Sequence, residues 1–163
     1  MKIGILSDTH DRWEATRQVL STFRHYKAEK IIHCGDVTST KMIELFKGFE
    51  VFLAFGNGDR EEAAFRLYFE NHQMGSCGLA LSLELSGKKI FVIHGDDFRR
   101  LNKELRSGTW DYIFTGHSHV FRDETIGNTR IINPGAVAGN FLRERSACIL
   151  DIKNGEILRI DIR

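Results

Sequence analysis

Five short segments of the sequence combine histidine, aspartate or asparagine with glycine, and each one follows a short apolar run. The segments are Asp8-Thr9-His10, Gly35-Asp36, Gly56-Asn57-Gly58-Asp59, His94-Gly95-Asp96 and Gly116-His117-Ser118-His119. Imidazole and carboxylate ligands without a thiolate suit manganese, iron, zinc, nickel or cobalt, whereas sites made only of oxygen suit magnesium or calcium. The residue types therefore predict a transition-metal site.

The number of candidate ligands predicts two ions rather than one. The candidates are Asp8, His10, Asp36, Asn57, His94, His117 and His119. A single catalytic ion with an open position needs fewer ligands, whereas two ions can share a bridging carboxylate. Two metal ions a few ångströms apart activate a water and clamp a phosphoryl group in line for displacement. We therefore expect a dinuclear centre that acts on phosphoryl groups.

Any one of these segments is weak evidence, because a carboxylate after a strand often caps a helix and Gly-Asp is a common turn. Five such segments at five strand ends are more informative, since open α/β sheets bind ligands outside the carboxyl ends of their strands. In Asp8-x-His10 and His117-x-His119 the paired residues are two apart. In extended backbone, that spacing places both side chains on one side.

The first third of the chain alternates predicted strands and helices. Continuous apolar runs bounded by turn residues are typical of strands buried on both faces, and three of them are Ile3–Leu6, Lys30–His33 and Val51–Phe55. Helical spacing of apolar residues predicts a first helix with Asp11 as N-cap, a second with Ser39 as N-cap and a third over Glu61–Phe69. This order is a βαβαβ unit with parallel strands.

The second half favours hairpins. Alternation over Leu79–Leu85 predicts a half-buried strand, and Ser86-Gly87 turns the chain into the next strand. A helix is expected over Phe98–Arg106, ended by Gly108. Further strands are expected at Lys89–Ile93, Tyr112–Phe114, Arg130–Ile132, Ala147–Ile152 and Ile157–Ile162, with Asn154-Gly155 as a type I′ turn between the last two. The fold class is α/β with mixed strands, either one mixed sheet or two sheets packed together with helices outside.

Composition excludes several classes of protein. The chain has 163 residues and a formal charge of +1, which argues against a protein whose main partner is a polyanion. We expect one domain over residues 1–163. The cysteines, Cys34, Cys77 and Cys148, are odd in number and far apart, which favours a reduced, cytoplasmic protein. No apolar run is long enough to span a membrane.

The ordered set of five segments resembles the calcineurin-like metallophosphoesterase superfamily, and the compact spacing resembles its small bacterial and archaeal phosphodiesterase branch. The resemblance extends from about Ile3 to Asn133-Pro134-Gly135. It implies a four-layer α-β-β-α sandwich with two mixed β-sheets. It also implies that Asp8, His10, Asp36 and His119 bind one ion, and that Asp36 bridges to a second ion bound by Asn57, His94 and His117.

One position departs from the family pattern. Many members place a histidine after the metal-binding asparagine, where it contacts the substrate and assists the leaving group, but this chain has Gly58. General acid–base catalysis is worth about 10²–10⁴-fold, so its loss restricts an enzyme to good leaving groups unless another residue substitutes. His72 is one candidate substitute, although a surface position is the simpler expectation. No other general acid stands out.

The resemblance implies a metal-dependent phosphodiesterase that hydrolyses small phosphodiesters or nucleotides with a two-metal-activated hydroxide. We expect manganese first, with nickel, iron, zinc and cobalt open. The alternative is a metal-binding interaction scaffold of the same fold, as in the retromer subunit. A nuclease ranks last, no membrane partner is expected, and a homo-oligomer stays open.

The remaining histidines and a basic stretch are expected to lie outside the ligand set. His33 is expected to lie behind the ligands and support them, and His25 is expected to lie on the surface. The basic residues Arg99, Arg100, Lys103 and Arg106 are expected to form a solvated face that at most steers anions.

Overall fold

The computed structural model describes residues 1–139 and 144–162. Within those ranges, eleven strands and four α-helices follow one another along the chain. In order they are β1 (Lys2–Leu6), α1 (Trp13–His25), β2 (Lys30–His33), α2 (Thr40–Ile43), β3 (Glu50–Ala54), α3 (Glu62–His72), β4 (Gly75–Gly78), β5 (Ala80–Leu85), β6 (Lys88–Ile93), α4 (Phe98–Arg106), β7 (Tyr112–Phe114), β8 (Phe121–Ile126), β9 (Thr129–Pro134), β10 (Arg145–Asp151) and β11 (Glu156–Ile162). A 3-10 turn, Glu44–Phe46, continues from α2.

The strands form two mixed sheets. The first has the order β11-β10-β1-β2-β3-β4, and the second has the order β5-β6-β7-β9-β8. Strands β1 to β4 run parallel, as do β6, β7 and β9, whereas β10, β11, β5 and β8 pair antiparallel. The carboxyl ends of β1, β2 and β3 therefore lie at one edge of the first sheet, and those of β6 and β7 lie at one edge of the second.

Alternating side chains divide the core into layers. On β1, Ile3 and Ile5 pack between the two sheets, against residues such as Val92 and Phe114. The opposite face of the first sheet packs on α1, α2 and α3, for example through Phe23. The outer face of the second sheet carries Phe91, Ile93, Ile113 and Ile131, which pack on Leu101 of α4. The predicted four-layer α-β-β-α sandwich with two mixed sheets is confirmed.

Most predicted elements are confirmed, but two of the local signals were interpreted wrongly. Asp11 does not cap α1: the N-cap is Arg12, without a side-chain hydrogen bond, and the Asp11 carboxylate instead accepts a hydrogen bond from Ser39 Oγ at 2.6 Å. Ser39 does cap α2, as predicted. The Asn154-Gly155 hairpin exists, but four residues separate β10 from β11 and only Gly155 has positive φ, so the turn is not type I′. Asp151 sets the wider turn, because its carboxylate and carbonyl accept hydrogen bonds from Lys153 and Gly155.

The sequence analysis missed β4 and β8. Strand β4 has the sequence Gly-Ser-Cys-Gly, and in β8 half of the residues are charged and nearly all are exposed. Both lie at sheet edges, where backbone pairing to one neighbour holds the strand and apolar periodicity is weak. Over the residues that the structure describes, no helix is both long and apolar enough to cross a membrane.

Candidate metal centre

The five segments that carry the predicted ligands meet at the edge where the carboxyl ends of β1, β2, β3, β6 and β7 converge. Two groups of ligand atoms lie within 4.8 Å of one another: Asp8 with His10 and His119, and Asp8 with Asp36 and His94. Both groups share Asp8, and they draw on both sheets. The fold therefore brings together five of the seven predicted ligands in two adjoining clusters.

The first cluster lies around the Asp8 carboxylate. Asp8 Oδ1 is 3.0 Å from Nε2 of His119 and 3.7 Å from Nε2 of His10. The Asp8 side chain is fully buried, whereas both imidazoles are only partly buried and reach solvent. This side of the centre is therefore open to a solvent molecule or a substrate.

Asp36 belongs to the second cluster and also lies close to His10 of the first. Its Oδ2 is 3.5 Å from Nε2 of His10 and 3.6 Å from Nε2 of His94. Its Oδ1 accepts a hydrogen bond from the backbone N–H of Gly58 at 2.7 Å. One oxygen is thus oriented by the backbone and the other faces imidazoles of both clusters, as a bridging carboxylate requires.

His94 is oriented by a backbone carbonyl. Its Nδ1 is 2.7 Å from the oxygen of Cys34, and because a carbonyl only accepts, Nδ1 carries the proton. Nε2 then has a free lone pair that faces Asp36. A hydrogen bond from the remote ring nitrogen is the usual way in which a metal-binding histidine is oriented.

The other two predicted ligands lie at the margin of the clusters. The imidazole of His117 is 5.1 Å from that of His94, and its backbone N–H donates to Asp8 Oδ2 at 3.2 Å. Asn57 is exposed on the loop between β3 and α3 and lines a cleft beside the clusters. All seven side chains thus converge on one region, although their binding of metal stays a prediction.

The backbone that presents these side chains is not extended, contrary to the sequence-based expectation. Asp8, His10, Asp36, His117 and His119 all have positive φ, between 40° and 62°. Such angles are uncommon for non-glycine residues and persist where the surroundings enforce them. Backbone hydrogen bonds do so here, from Asp8 N–H to the Gly35 carbonyl and from His10 N–H to the Asp36 carbonyl.

Asp59 organises the loops that carry the candidate ligands, a role that the sequence analysis did not assign. Its buried carboxylate accepts hydrogen bonds from the backbone N–H groups of Asp36, Thr38 and Gly56, at 2.9, 2.8 and 2.8 Å. Burial raises the pKa of this carboxyl, and the three N–H groups offset part of the rise. The turn-forming sequence Gly56-Asn57-Gly58-Asp59 was the signal that pointed to it.

His33 is buried behind the clusters. Gly35 N–H donates to its Nδ1 at 3.1 Å, so Nε2 carries the proton and faces Thr9 Oγ1 at 3.2 Å. Burial lowers the pKa of His33 to about 3. With both nitrogens engaged, His33 supports the site from behind, as expected. His25 and His72 are exposed, and His72 stacks on Tyr68 at the far end of α3 from the site.

Asp8 and His10 shift each other's pKa. Burial would raise the pKa of Asp8, but contacts with His10, His94 and His119 outweigh that effect and lower it. The pKa of His10 is raised, chiefly by its contact with Asp8. The contact between Asp8 and His10 therefore favours the ionised form of both groups.

Two buried polar atoms test whether metal ions fit. Within residues 1–139 and 144–162, Asp8 Oδ1 and His94 Nε2 accept no hydrogen bond from any protein group. An orphaned buried acceptor costs about 1–3 kcal/mol, more when it is charged. Both atoms belong to the clusters, and both are ligand types that divalent transition metals prefer. The residues present therefore fit divalent cations.

A cleft of about 370 Å³ opens beside the clusters. It lies between the β3–α3 loop, the start of β5 and the first turn of α4. Its lining includes Phe55, Asn57, Arg60, Leu79, Ile93 and Arg100. Since Asn57 belongs to the predicted ligand set, a molecule in this cleft lies next to the metal-binding region.

Comparison with known proteins identifies relatives over nearly the whole chain. Residues 1–155 match the family model of the calcineurin-like phosphoesterase superfamily domain. Phosphodiesterase MJ0936 of Methanocaldococcus jannaschii is 30% identical over 163 residues, which cover 98% of both chains.

Solved structures have the same fold. One described as a novel archaeal phosphodiesterase superposes with a TM-score of 0.93 at 30% identity, over 99% of this chain and 100% of that one. A Vps29 variant of Entamoeba histolytica superposes with a TM-score of 0.72 at 16% identity, over 100% of both chains. The second likeness is one of fold alone.

Proposed function

The chain belongs to the calcineurin-like phosphoesterase superfamily, and on that basis we propose that it is a dinuclear metal-dependent phosphodiesterase of small phosphodiesters or nucleotides. The observation that carries the proposal is the pair of orphaned buried acceptors, Asp8 Oδ1 and His94 Nε2, inside clusters of imidazoles and carboxylates. The phosphodiesterase relatives that match nearly end to end support the reaction class.

The proposed ligands divide between two ions. Asp8, His10, Asp36 and His119 would bind the first, and Asp36, Asn57, His94 and His117 the second. The ions would supply Lewis-acid charge that activates a water and stabilises the phosphoryl oxygens. We propose manganese as the resident metal, with nickel, iron, zinc and cobalt as alternatives, because imidazole and carboxylate are the donors.

The protein orients these ligands in advance. Cys34 fixes the tautomer of His94, Gly58 N–H orients Asp36, and the backbone N–H of His117 orients Asp8. Fixed donors and acceptors of this kind need no rearrangement during the reaction, which is the main source of electrostatic catalysis. Contacts from both sheets hold the site, so we propose that residues 1–163 act as one domain.

The chain offers no side chain at position 58 to protonate a leaving group, and His72 lies at the far end of α3. Substrates with acidic leaving groups need no such proton. We therefore propose that the enzyme hydrolyses aryl phosphodiesters faster than alkyl phosphodiesters of equal size.

The direct test is hydrolysis of bis-p-nitrophenyl phosphate by metal-loaded protein and by Asp36→Asn. The isosteric change removes the charge of the proposed bridging ligand, so kcat/KM is expected to fall on the order of 10²–10³-fold. Asp161→Asn, on the exposed edge strand β11, is the matched control and should retain wild-type activity.

Two results contradict the proposal. Absence of turnover with every transition metal rules out the enzyme, and turnover that survives Asp36→Asn rules out the assigned centre. Tight stoichiometric metal binding without turnover would instead favour the interaction scaffold.

A further inference from the structure

The cleft beside the metal-binding clusters has properties of a substrate subsite. Gly56 connects the two regions, since a Cβ on this residue would lie 2.3 Å from Asp36 Oδ1 and 2.9 Å from His94 Cδ2. The same residue lines the cleft together with Asn57. A substrate whose phosphodiester occupies the metal centre can therefore extend one of its ends into this cleft.

Most carboxylates around the cleft are already engaged. Asp59 accepts the three backbone N–H groups described above, and Asp97 Oδ1 accepts the N–H of Arg100 at 2.9 Å as the N-cap of α4. Glu62 forms an ion pair with Arg66, one helical turn away, at 3.5 Å. Among the cleft carboxylates, this leaves Asp96 without a described partner.

Two arginines of the cleft have guanidinium groups without a polar partner among the described residues. Over residues 1–139 and 144–162, the guanidinium groups of Arg60 and Arg100 form no ion pair or hydrogen bond with the protein. Arg100 instead lies over the Phe91 ring, at 5.7 Å from its centroid, which holds its side chain against the sheet. The lining carries four carboxylates, but its charged side chains without a polar partner among the described residues are two guanidinium groups and one carboxylate, so the arginines supply the free charged hydrogen-bond donors.

The rest of the cleft wall is apolar. Phe55 and Ile93 form buried parts of it, and Leu79 remains 59% exposed at its rim. Sites for small molecules typically combine such apolar surfaces with a few polar groups that determine orientation. Guanidinium groups bind phosphate oxygens in a two-pronged geometry, which makes arginine a preferred phosphate ligand.

We propose that Arg60 and Arg100 bind a second phosphate of the substrate, so that the preferred substrate is a phosphodiester that also carries a phosphate monoester. This inference rests on the proposed phosphodiesterase activity and adds the substrate class. The second phosphate selects the substrate, while the metal centre acts on the diester.

A matched pair of chromogenic substrates tests the subsite. Thymidine 5′-(p-nitrophenyl phosphate) and its 3′-phosphorylated form differ by one phosphate and release the same p-nitrophenolate. With the metal-loaded protein, the second phosphate is expected to raise kcat/KM about tenfold, mainly through KM. In the double variant Arg60→Gln/Arg100→Gln, that ratio should fall to about one.

The control variant is Arg99→Gln/Arg106→Gln, which removes the same charge from exposed positions of α4 outside the cleft lining. It should retain the preference for the 3′-phosphorylated substrate. A ratio of one in the wild-type protein, or a ratio that the double variant leaves unchanged, overturns the proposal. An equal loss in the control variant also overturns it, because the effect then reflects net charge rather than a site.

A binding measurement separates the subsite from the activity. Calorimetric titration of the metal-loaded protein with thymidine 3′,5′-bisphosphate and with thymidine 5′-monophosphate should give about tenfold tighter binding of the bisphosphate. The double variant should abolish the difference. If neither chromogenic substrate is hydrolysed, the proposed function fails, while the binding ratio still decides the subsite: equal affinities overturn it.

Discussion

At the scale of single residues, hydrogen bonding decides what each buried histidine can do. His33 and His94 are both fully buried. His33 has both ring nitrogens engaged, by Gly35 and Thr9, and it stays neutral. His94 has one nitrogen engaged by Cys34 and one without a protein partner. Residue type alone does not distinguish a supporting histidine from a candidate ligand.

The buried His33 predicts a pH dependence of stability. Its pKa is about 3 when folded and about 6.5 when unfolded, so between these values the unfolded chain binds a proton that the native state does not. The contribution of His33 to stability is full above pH 6.5 and decreases as the pH falls towards 3, by at most about 1.4 kcal/mol per pH unit. His33→Gln should lose less stability between pH 7 and pH 5 than the wild-type protein.

Urea unfolding at both pH values, with chelator present, measures this difference. His25→Gln, on the exposed side of α1, is the control and should show the wild-type pH dependence. An unchanged pH dependence in His33→Gln would contradict the assignment, and its unfolding midpoint at pH 7 reports whether the variant folds.

At the scale of elements, the loop between β3 and α3 is built around its backbone groups. The N–H of Gly58 orients Asp36, and the carboxylate of Asp59 holds the backbone of the β2–α2 loop. A Cβ at position 58 would lie 2.9 Å from Asp36 Oδ1 and 3.3 Å from Thr38 Cγ2. The loop therefore packs closely around glycine at this position.

This packing predicts that a histidine at position 58 does not restore a general acid. In Gly58→His and Gly58→Ala, the new Cβ displaces the Asp36 carboxylate, so metal affinity and kcat/KM for bis-p-nitrophenyl phosphate should both fall about tenfold or more, as when groups that orient metal ligands are altered. Metal titration and steady-state kinetics measure the two effects.

Gly78→Ala is the control for this loop, because a Cβ at Gly78 meets no atom closer than 3.6 Å. Increased activity in Gly58→His, together with unchanged metal affinity, would show that the loop accepts the side chain after all.

At the scale of the whole molecule, the candidate metal centre connects two sheets. Asp8 and Asp36 follow β1 and β2 of the first sheet, whereas His94, His117 and His119 follow β6 and β7 of the second. The apolar layer between the sheets holds these ends together, and bound ions would add a second connection at the edge. We therefore expect metal binding and folding to be coupled.

This coupling predicts that metal raises the thermal stability of the protein. A ligand at 100 times its Kd stabilises the native state by about 2.7 kcal/mol, which corresponds to about 5–10 °C in Tm for a domain of this size. Asp36→Asn should lose most of the shift, and Glu14→Gln, exposed on α1, should retain it. Calorimetric scans with manganese and with chelator make the comparison, and a shift that persists in Asp36→Asn would contradict the assigned ligands.

The sequence by itself determined nearly all helices and strands and the seven residues that gather at one edge, because buried strands and turn residues leave strong local patterns. Those patterns allowed either one mixed sheet or two packed sheets, and only the resemblance to a family implied the four-layer order. Only the tertiary structure decided what those patterns do not encode. Edge strands β4 and β8 depend on pairing with neighbours distant in sequence, and Asp11 binds Ser39 instead of capping α1. The positive φ angles of the candidate ligands and the role of Asp59 likewise depend on hydrogen bonds between loops. The position of the unpaired arginines beside Asn57 depends on how the loops pack around the cleft. The sequence shows which residue types occur and at which spacing. Only the folded chain shows which polar atoms lack a hydrogen-bond partner, because those partners come from segments distant in sequence.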